Sequence, residues 1–450
     1  MSKINRALVT ALSLSLIGLT GCSGFPSLPG FGGGSDAVDA DKLGRINLAI
    51  GNQTLEVDPA FVDTAIILPE TRVLQSWPQA GQSPSKLIGH VEAAQNFEVE
   101  WSRRVAEGSD RSIALTTAPV SDGTNIFLLD GEQQVQSISV ETGAKNWTEK
   151  LESENRRDKR GIGGGIAISG DTLIVASGYG FIAAMSAIDG QEIWREALGS
   201  PVTGAPTISG DSIYVVTQNN EMFALNKDTG EVEWSDQAIA ESARVLAAPS
   251  VAAVEDFVVA PFTSGEVIAF LSANGRRLWN DGLNRAGRFT PISSINDIAS
   301  RPILHQGLVY AASQSGVMAA IDGRTGRRVW AQNIGSIYAP AIAGEYIFVA
   351  GVEGQVACLS LNNGAPIWIE QLQKFSKEKA KQGRISYAGP IVASNRVVVL
   401  SSQGDLIALS PQTGAELNRL ELKDRVFLEP IIVGDRMIIL TDEGRLISVR

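Results

Sequence analysis

The sequence predicts an all-β fold, an eight-bladed β-propeller of four-stranded antiparallel blades, and three observations carry that expectation. Trp147, Trp194, Trp234, Trp279, Trp330 and Trp368 each stand four residues after a glycine. A second turn position lies fourteen residues before each of these markers and a proline position twenty-eight before, so spacing inside a copy is fixed while the gap between copies varies. The third observation is composition: 46 glycines, 18 prolines and 44% hydrophobic residues describe many short strands broken by turns. Four short strands per unit, repeated radially with glycine and aromatic markers, is the sequence form of a propeller.

Taken from the N-terminus, the chain of 450 residues opens on Lys3 and Arg6 and then an apolar run from Ala7 to Leu19. That run is too short to span a bilayer comfortably and has the form of a signal peptide. It closes on Leu19-Thr20-Gly21-Cys22, which resembles a bacterial lipobox, so residues 1–21 are expected to be removed and Cys22 to carry the lipid. Acyl chains of the palmitate type then anchor the protein, each buried methylene contributing about 0.8 kcal/mol. Loss of Lys3 and Arg6 moves the net charge from -11 to -13. Ser23 stands where lipoproteins retained in the inner membrane carry Asp, which points to the outer membrane and its periplasmic face. Residues 22–41, rich in glycine and proline, read as a flexible tether, and 42–95 as a pre-propeller segment.

The body, residues 96–450, is the repeat. The marker glycines close turns such as Glu141-Thr142-Gly143 and Asp228-Thr229-Gly230, where a tight hairpin demands a positive φ. The earlier turn position holds Gly180, Gly265, Gly316, Gly354 and Gly404, with Gln133 and Asn220 in two copies. Pro119, Pro206, Pro302, Pro340 and Pro390 open the copies, Pro249 is displaced by two and Ile166 replaces proline once; proline is expected at a strand's first residue. Between these points lie apolar β-branched runs such as Ser212–Val216, Tyr346–Ala350 and Arg396–Leu400. A seventh copy carries Gly414 and then Asn418 in place of tryptophan. An eighth, from Glu429 to Val449, lacks a fourth strand altogether. Asn96-Phe-Glu-Val-Glu-Trp101 is a marker strand with no blade before it, and inserting it into the eighth copy closes the ring and ties down both ends.

Composition also excludes chemistry. An acidic chain is a poor partner for nucleic acid, and two histidines, His90 and His305, with two cysteines, Cys22 and Cys358, leave little from which to build a metal centre or a disulfide framework. Gly161-Ile-Gly-Gly-Gly165 lacks the Gly-Lys-Ser/Thr ending of a phosphate loop and reads as a flexible connection between blades. His305 falls inside a strand and Cys358 in a slot filled elsewhere by Ala184, Ala224, Ala269, Ala320, Ala408 and Ser448, so both are expected to be structural.

The cadence Ala224-Leu-Asn-Lys-Asp-Thr-Gly-Glu-Val-Glu-Trp234 resembles the repeat shared by quinoprotein dehydrogenases and their non-catalytic propeller relatives. With the lipobox, the length and the eight copies, the chain resembles the BamB family, propeller lipoproteins of the outer-membrane β-barrel assembly (BAM) machinery. The segment Trp77-Pro-Gln-Ala-Gly-Gln-Ser-Pro84 through His90 is similar to the pre-propeller region of alphaproteobacterial members. The resemblance implies a scaffold, not an enzyme, that docks on the POTRA domains of the barrel subunit BamA, sits with the other assembly lipoproteins and assists insertion of unfolded outer-membrane proteins. It implies no cofactor and no metal. The family's contact uses an Arg entering one middle blade and acids entering the next; here Arg244 and Asp297 match, while Glu241, Ser242 and Ala243 depart from the apolar residues of the family and Ala299 from its second acid. The alternative is a pyrroloquinoline quinone-dependent dehydrogenase or a degenerate quinone-binding relative, but that branch uses adjacent cysteines and a calcium, and no adjacent cysteines are present.

Three connections from a Trp strand to the next blade are long: 148–165, 280–301 and 369–389. Such connections share one face of a propeller, where loops commonly bind. Arg156, Arg157, Lys159 and Arg160 lie in the first, Arg285, Arg288 and Arg301 in the second, and Lys374, Lys377, Lys379, Lys381 and Arg384 in the third. Against an acidic body they predict a positive rim facing acidic protein or lipid head groups.

Overall fold

A computed structural model describes residues 55–61, 64–109, 114–153, 161–239, 249–283, 298 and 300–450. Eight four-stranded antiparallel units follow one another along the chain. Blade 1 comprises Val120–Ser121, Asn125–Leu129, Gln134–Ser139 and Lys145–Lys150; blade 2, Gly164–Ser169, Thr172–Ser177, Phe181–Ser186 and Glu192–Ala197. Blade 3 comprises Thr207–Ser209, Ser212–Val216, Glu221–Asn226 and Val232–Gln237; blade 4, Ala252–Ala253, Phe257–Pro261, Glu266–Leu271 and Arg277–Gly282. Blade 5 comprises Ile303–His305, Leu308–Ala312, Met318–Asp322 and Arg328–Gln332; blade 6, Ala341–Ala343, Tyr346–Ala350, Gln355–Ser360 and Pro366–Gln371. Blade 7 comprises Tyr387–Ala393, Arg396–Ser401, Asp405–Leu409 and Glu416–Glu421. Blade 8 combines Ile431–Val433, Arg436–Leu440 and Arg445–Val449 with Val99–Arg104 from the other end of the chain. Glu98 and Arg450 exchange both backbone hydrogen bonds, at 3.0 and 2.8 Å, so the ring is closed by strand pairing.

Burial explains the strand types. Second and third strands such as Ile126–Leu129 and Val258–Pro261 are buried on both faces because each blade packs against two neighbours, and so they read as continuous apolar runs. Most fourth strands are exposed except near the marker: in Val232–Gln237 only Trp234 is buried, while in blade 6 Pro366 and Ile367 are buried beside Trp368. The prolines stand immediately before the inner strands of blades 1, 3, 5 and 6, while Pro390 lies inside the first strand of blade 7, where the register slips between Ala388 and Ile391. An irregularity in the ladder is where a strand tolerates a missing N–H.

Each tryptophan makes two kinds of contact. Across its own blade it opposes the small residue of the third strand: Ser137 and Trp147, Ala184 and Trp194, Ala224 and Trp234, Ala269 and Trp279, Ala320 and Trp330, Cys358 and Trp368, Ser448 and Trp101. Toward the next blade it lies on the marker glycine. A methyl group at Gly230 would come within 2.5 Å of the Trp194 ring, and one at Gly326 within 2.6 Å of Trp279. Positive φ and ring contact together make glycine obligatory there. The indole N–H of Trp101, Trp147, Trp234, Trp279, Trp330 and Trp368 donates to a carbonyl beside that turn, at 2.7 to 3.1 Å.

The two copies without glycine at the earlier turn are compensated by side-chain amides. Gln133 (φ 61°) accepts from Ser177 Oγ and Gly178 N and donates to the Gly163 carbonyl in blade 2 and its approach. Asn220 (φ 60°) accepts from the Thr263 hydroxyl of blade 4 and donates to the Ile239 carbonyl. The glycine run at 161–165 corrects the expectation of a flexible connection. Gly164 and Gly165 are buried in the first strand of blade 2, and a methyl group at either would lie 2.4 Å from the Ala176 carbonyl or 2.8 Å from Ala205. Close backbone approach selects those glycines.

Residues 58–61 and 64–91 make contacts with all eight blades. Asp58 N donates to Pro366 O and Tyr346 Oη to Ala65 O in blade 6; the Gln412 amide exchanges two hydrogen bonds with Ile66. Gly434 N donates to Leu74 O, Trp77 and Ser121 exchange bonds at 2.9 and 2.8 Å, and Ile168 N donates to Pro78 O. Gln79 pairs with the Ile208 backbone, Ala253 N donates to Pro84 O, Leu304 N to Ser85 O, and His90–Val91 adds a parallel strand beside Val392–Ala393. From Trp77 onward this strap lies along first strands, whose inner edges would otherwise be left unpaired around the axis.

Candidate functional site: the connection face and the axial cavity

Every fourth strand runs in the same sense, so all links from a fourth strand to the next blade emerge on one face. Two of them contain the residues matched to the partner contact. Arg244 and Asp297 lie outside the described residues, as does Cys22. The strand ends from which those links depart are clamped. Arg277 of blade 4 donates through Nε to Asp236 at 3.0 Å and through its terminal nitrogen to the Gln237 carbonyl at 2.7 Å. Arg328 of blade 5 does the same one blade on, to Asp281 at 2.6 Å and the Gly282 carbonyl at 2.6 Å. Both arginines stand two residues before a Trp and both aspartates two residues after one, a spacing that the charge pattern of the fourth strands makes legible. Ile239, immediately beyond the first clamp, is 64% exposed.

The positive rim is altered by the structure. Arg156, Arg157, Lys159, Arg160, Arg285 and Arg288 fall outside the described residues. Arg301 is withdrawn: its side chain is 13% exposed and ion-paired with Glu429, itself 14% exposed. Both line the axial cavity instead, where the paired carboxylate offsets the cost of taking a charged guanidinium out of water. In the third connection Lys374 and Arg384 are paired with Glu353, while Lys377, Lys379 and Lys381 are exposed.

The axial cavity has a volume of about 370 Å³ and is lined among others by Trp77, Ser250, Arg301, Tyr338, Phe427 and Glu429. Tyr338 Oη donates to the Phe427 carbonyl at 2.8 Å, and burial pushes its phenol well above the ordinary range. Beneath Gly81, Lys86 is wholly buried, with no partner for its amine among the described residues; burial, and then the charge of Arg301, hold its pKa well below the ordinary lysine value. Composition gave no signal for Lys86, because nothing in the local sequence marks it as buried.

A quinone cofactor of the kind held by the dehydrogenase branch does not fit these residues. Cys358 is a single buried thiol on the third strand of blade 6, raised by burial and packed opposite Trp368. Among the described residues no group of three or more His, Cys, Asp or Glu side chains could hold a metal ion. The histidines are used structurally. His90 Nε2 accepts from Asn395 N, which leaves Nδ1 to donate to Pro69 O at 2.6 Å. His305 ends the first strand of blade 5, its pKa lowered by burial against the opposing charge of Glu345.

The family described as "Outer membrane protein assembly factor BamB" matches residues 131–370 and 373–450. Among curated proteins, the outer membrane protein assembly factor BamB of Yersinia pestis is 26% identical over 274 residues, 60% of this chain and 69% of that one. Among solved structures, BamB from Moraxella catarrhalis is similar with a TM-score of 0.63 at 18% identity, covering 78% of this chain and 98% of that one. The quinohemoprotein alcohol dehydrogenase of Comamonas testosteroni superposes nearly as well, with a TM-score of 0.62 at 12% identity over 84% of this chain and 81% of that one. Backbone similarity therefore establishes the propeller and does not separate assembly factor from enzyme; the family match along the sequence is to the assembly factor.

Proposed function

Because the chain belongs to the family of outer membrane protein assembly factor BamB, we propose that it is a non-catalytic scaffold of the outer-membrane β-barrel assembly complex, docking on the POTRA domains of BamA and assisting insertion of outer-membrane proteins. The observation that supports this reading most is the family match running through 131–370 and 373–450 on a ring whose axial residues do not fit the quinone set. In this proposal Cys22 carries the lipid that holds the protein at the periplasmic face of the outer membrane. Arg244 is the anchor in the connection entering blade 4, since its planar fork pairs with carboxylates or carbonyls and stacks on apolar surface. Asp297 is the acidic counterpart entering blade 5. The clamps of Arg277 and Arg328 set the directions from which both connections leave.

The test is gentle solubilisation of membranes, capture of the full chain through a C-terminal tag, and mass spectrometry of what co-purifies. The barrel subunit and its lipoproteins are expected, with recovery lost in Arg244→Glu and reduced in Asp297→Lys. Recovery unchanged in both variants removes these residues from the interface. Absence of the barrel subunit from the wild-type capture, with a stoichiometric chromophore retained after adding pyrroloquinoline quinone and calcium, overturns the scaffold reading.

A further inference from the structure

We propose that the hairpin of Phe375–Lys377 and Gln382–Arg384 is a cationic contact element for an acidic patch on the protein that docks on the connection face. This rests on the reading above, that the face docks the barrel-assembly subunit. The hairpin interrupts the link between blades 6 and 7 and is a two-stranded unit of its own, with Phe375 opposite Arg384 and Lys377 opposite Gln382.

Its charges are divided by position. At the base, Glu353 from the turn of blade 6 pairs with both Lys374 and Arg384. Burial would raise the Glu353 carboxyl, but the hydrogen bonds from Lys374 and Arg384 outweigh it and hold the pKa below the ordinary value. The one acid near the tip, Glu378, turns its carboxylate back to the backbone N–H groups of Lys374 and Phe375, both at 3.1 Å. Ile385 N donates to the Lys374 carbonyl at 3.0 Å and Tyr387 Oη to that of Gln373 at 2.7 Å, so the base is fixed to blade 7. Residues 376–384 are all exposed. Lys377, Lys379 and Lys381 are thus presented on a rooted support, with no carboxylate paired to them among the described residues. In a chain of net charge -11 this local surplus does not follow the balance of the body.

The chemistry of the tip selects the partner. Lys377-Glu378-Lys379-Ala380-Lys381-Gln382-Gly383 offers no large apolar side chain to enter acyl chains, and three cations fall short of the four to eight that mark anionic-lipid recognition. A protein surface carrying carboxylates fits better. Exposed charge at the edge of an interface acts chiefly on encounter, raising the association rate and its dependence on salt, with little effect on dissociation.

The experiment compares the full chain with a variant carrying Lys377→Glu, Lys379→Glu and Lys381→Glu, binding the purified barrel-assembly subunit of the same organism at low and high ionic strength. The expected result is an association rate about tenfold lower at low salt, a difference that closes at high salt, and an unchanged dissociation rate. The corresponding three Lys→Gln changes should fall between wild type and the reversal, and an unchanged melting temperature in both variants shows that the fold is kept. An association rate equal to wild type overturns the proposal. So does loss of binding to phosphatidylglycerol vesicles with association to the subunit unchanged, which would reassign the tip to lipid. If the wild-type chain itself does not bind the subunit, the docking reading falls and takes the hairpin's role with it; normal binding by both proteins removes the hairpin alone.

Discussion

The seams carrying tryptophan and the seam between blades 7 and 8 join the same kinds of surface by different means. In the first group the repeat supplies both halves, a Trp on one blade and a marker glycine on the next. In blade 8 the third and fourth strands come from opposite ends of the chain, so the hairpin that would carry the glycine is cut open between Val449 and Val99. The preceding blade has Asn418, exposed, at the tryptophan position opposite Ala408. The blade that lacks the aromatic thus precedes the one whose third and fourth strands are not joined by a glycine turn, the shelf on which each indole lies at the other seams. Non-repeating parts replace them. Arg396 of blade 7 lies 5.1 Å from the centre of the Phe97 ring and donates to the Ala94 carbonyl at 2.7 Å, and Glu100 gathers Arg436, Arg450 and Ser448 across the closing strands. A ring of repeats cannot be closed by its repeat alone when its ends meet inside a hairpin.

The largest effect that breaks the contrast is expected in a repeated seam. Trp279→Ala removes a side chain buried against Gly326 together with its bond to the Gly323 carbonyl, and should cost about 3–5 kcal/mol in denaturant unfolding. Gly326→Ala should act on the same contact from the other side, because its methyl meets the Trp279 ring and its φ of 72° disfavours a side chain. A loss below about 1 kcal/mol in both would mean that the strap and ion pairs, rather than the tryptophans, hold adjacent blades together.

Next in size is a gain in the non-repeating region. Lys86→Met keeps an unbranched chain at φ 65° and removes only the unpartnered amine, so it should stabilise by on the order of 1–3 kcal/mol. The sign with pH follows from linkage. A lysine whose folded pKa is lowered binds fewer protons in the folded than in the unfolded chain, so its cost is felt at neutral pH and fades as pH rises toward the unfolded value near 10.4. The stability difference between variant and wild type should therefore shrink between neutral pH and about pH 10. Taking the difference cancels Cys358, Tyr310 and Tyr387, whose raised pKa values, the tyrosines at about 12, act in the opposite sense in both proteins. A pH-independent difference would show that the amine keeps its proton and its ordinary pKa in the folded chain, as a hydrated ammonium does.

A smaller loss is expected at the closure. Glu100→Gln leaves Arg436 and Arg450 without their shared carboxylate, and should cost about 1 kcal/mol, less at high salt because the site is partly exposed. The hydrogen bond from Arg436 is the chief cause holding the Glu100 pKa below its ordinary value. Its contribution is accordingly present above the unfolded pKa near 4.3 and disappears as pH falls through the lower folded value. Urea unfolding of both proteins at neutral and acid pH checks this: the curves should converge under acid.

The same division separates what the sequence makes legible from what it does not. Blades 1 to 6 are legible because turns, small residue and Trp recur at fixed offsets, and blade 7 because it keeps the turns and the small residue with Asn418 in the tryptophan position; even Gln133 and Asn220 can be placed, since a non-glycine in a glycine slot must still reach positive φ. The closing strand is legible as a marker without a blade. The strap is not, because its hydrogen bonds go one by one to different blades, with no period for a pattern to follow. Arg301 reads as rim charge because charge alone does not reveal that Glu429, 128 residues away, draws it to the axis. The basic hairpin lies between these extremes: its cations are plain in the sequence, but that Glu353 takes Lys374 and Arg384 at the base and leaves three lysines at the tip is a fact of folding.

The smallest expected effect tests the contrast most directly. Asn418→Trp places an indole where the cut hairpin offers no glycine, and as an exposed substitution it should change stability by no more than about 0.5 kcal/mol. If Arg450 is joined to Glu98 by a short glycine-bearing turn, the chain is reopened at an exposed connection elsewhere and residues 51–97 are supplied as a separate polypeptide in both backgrounds, the shelf is restored with the strap in place. Asn418→Trp in that background should then stabilise by more than it does in the native chain, with a coupling between turn and indole of about 1 kcal/mol or more. Equal effects in the two backgrounds would separate the absence of tryptophan from the absence of the turn, and Asn418 would need an explanation from its own blade, where it opposes Ala408, rather than from the one beside it.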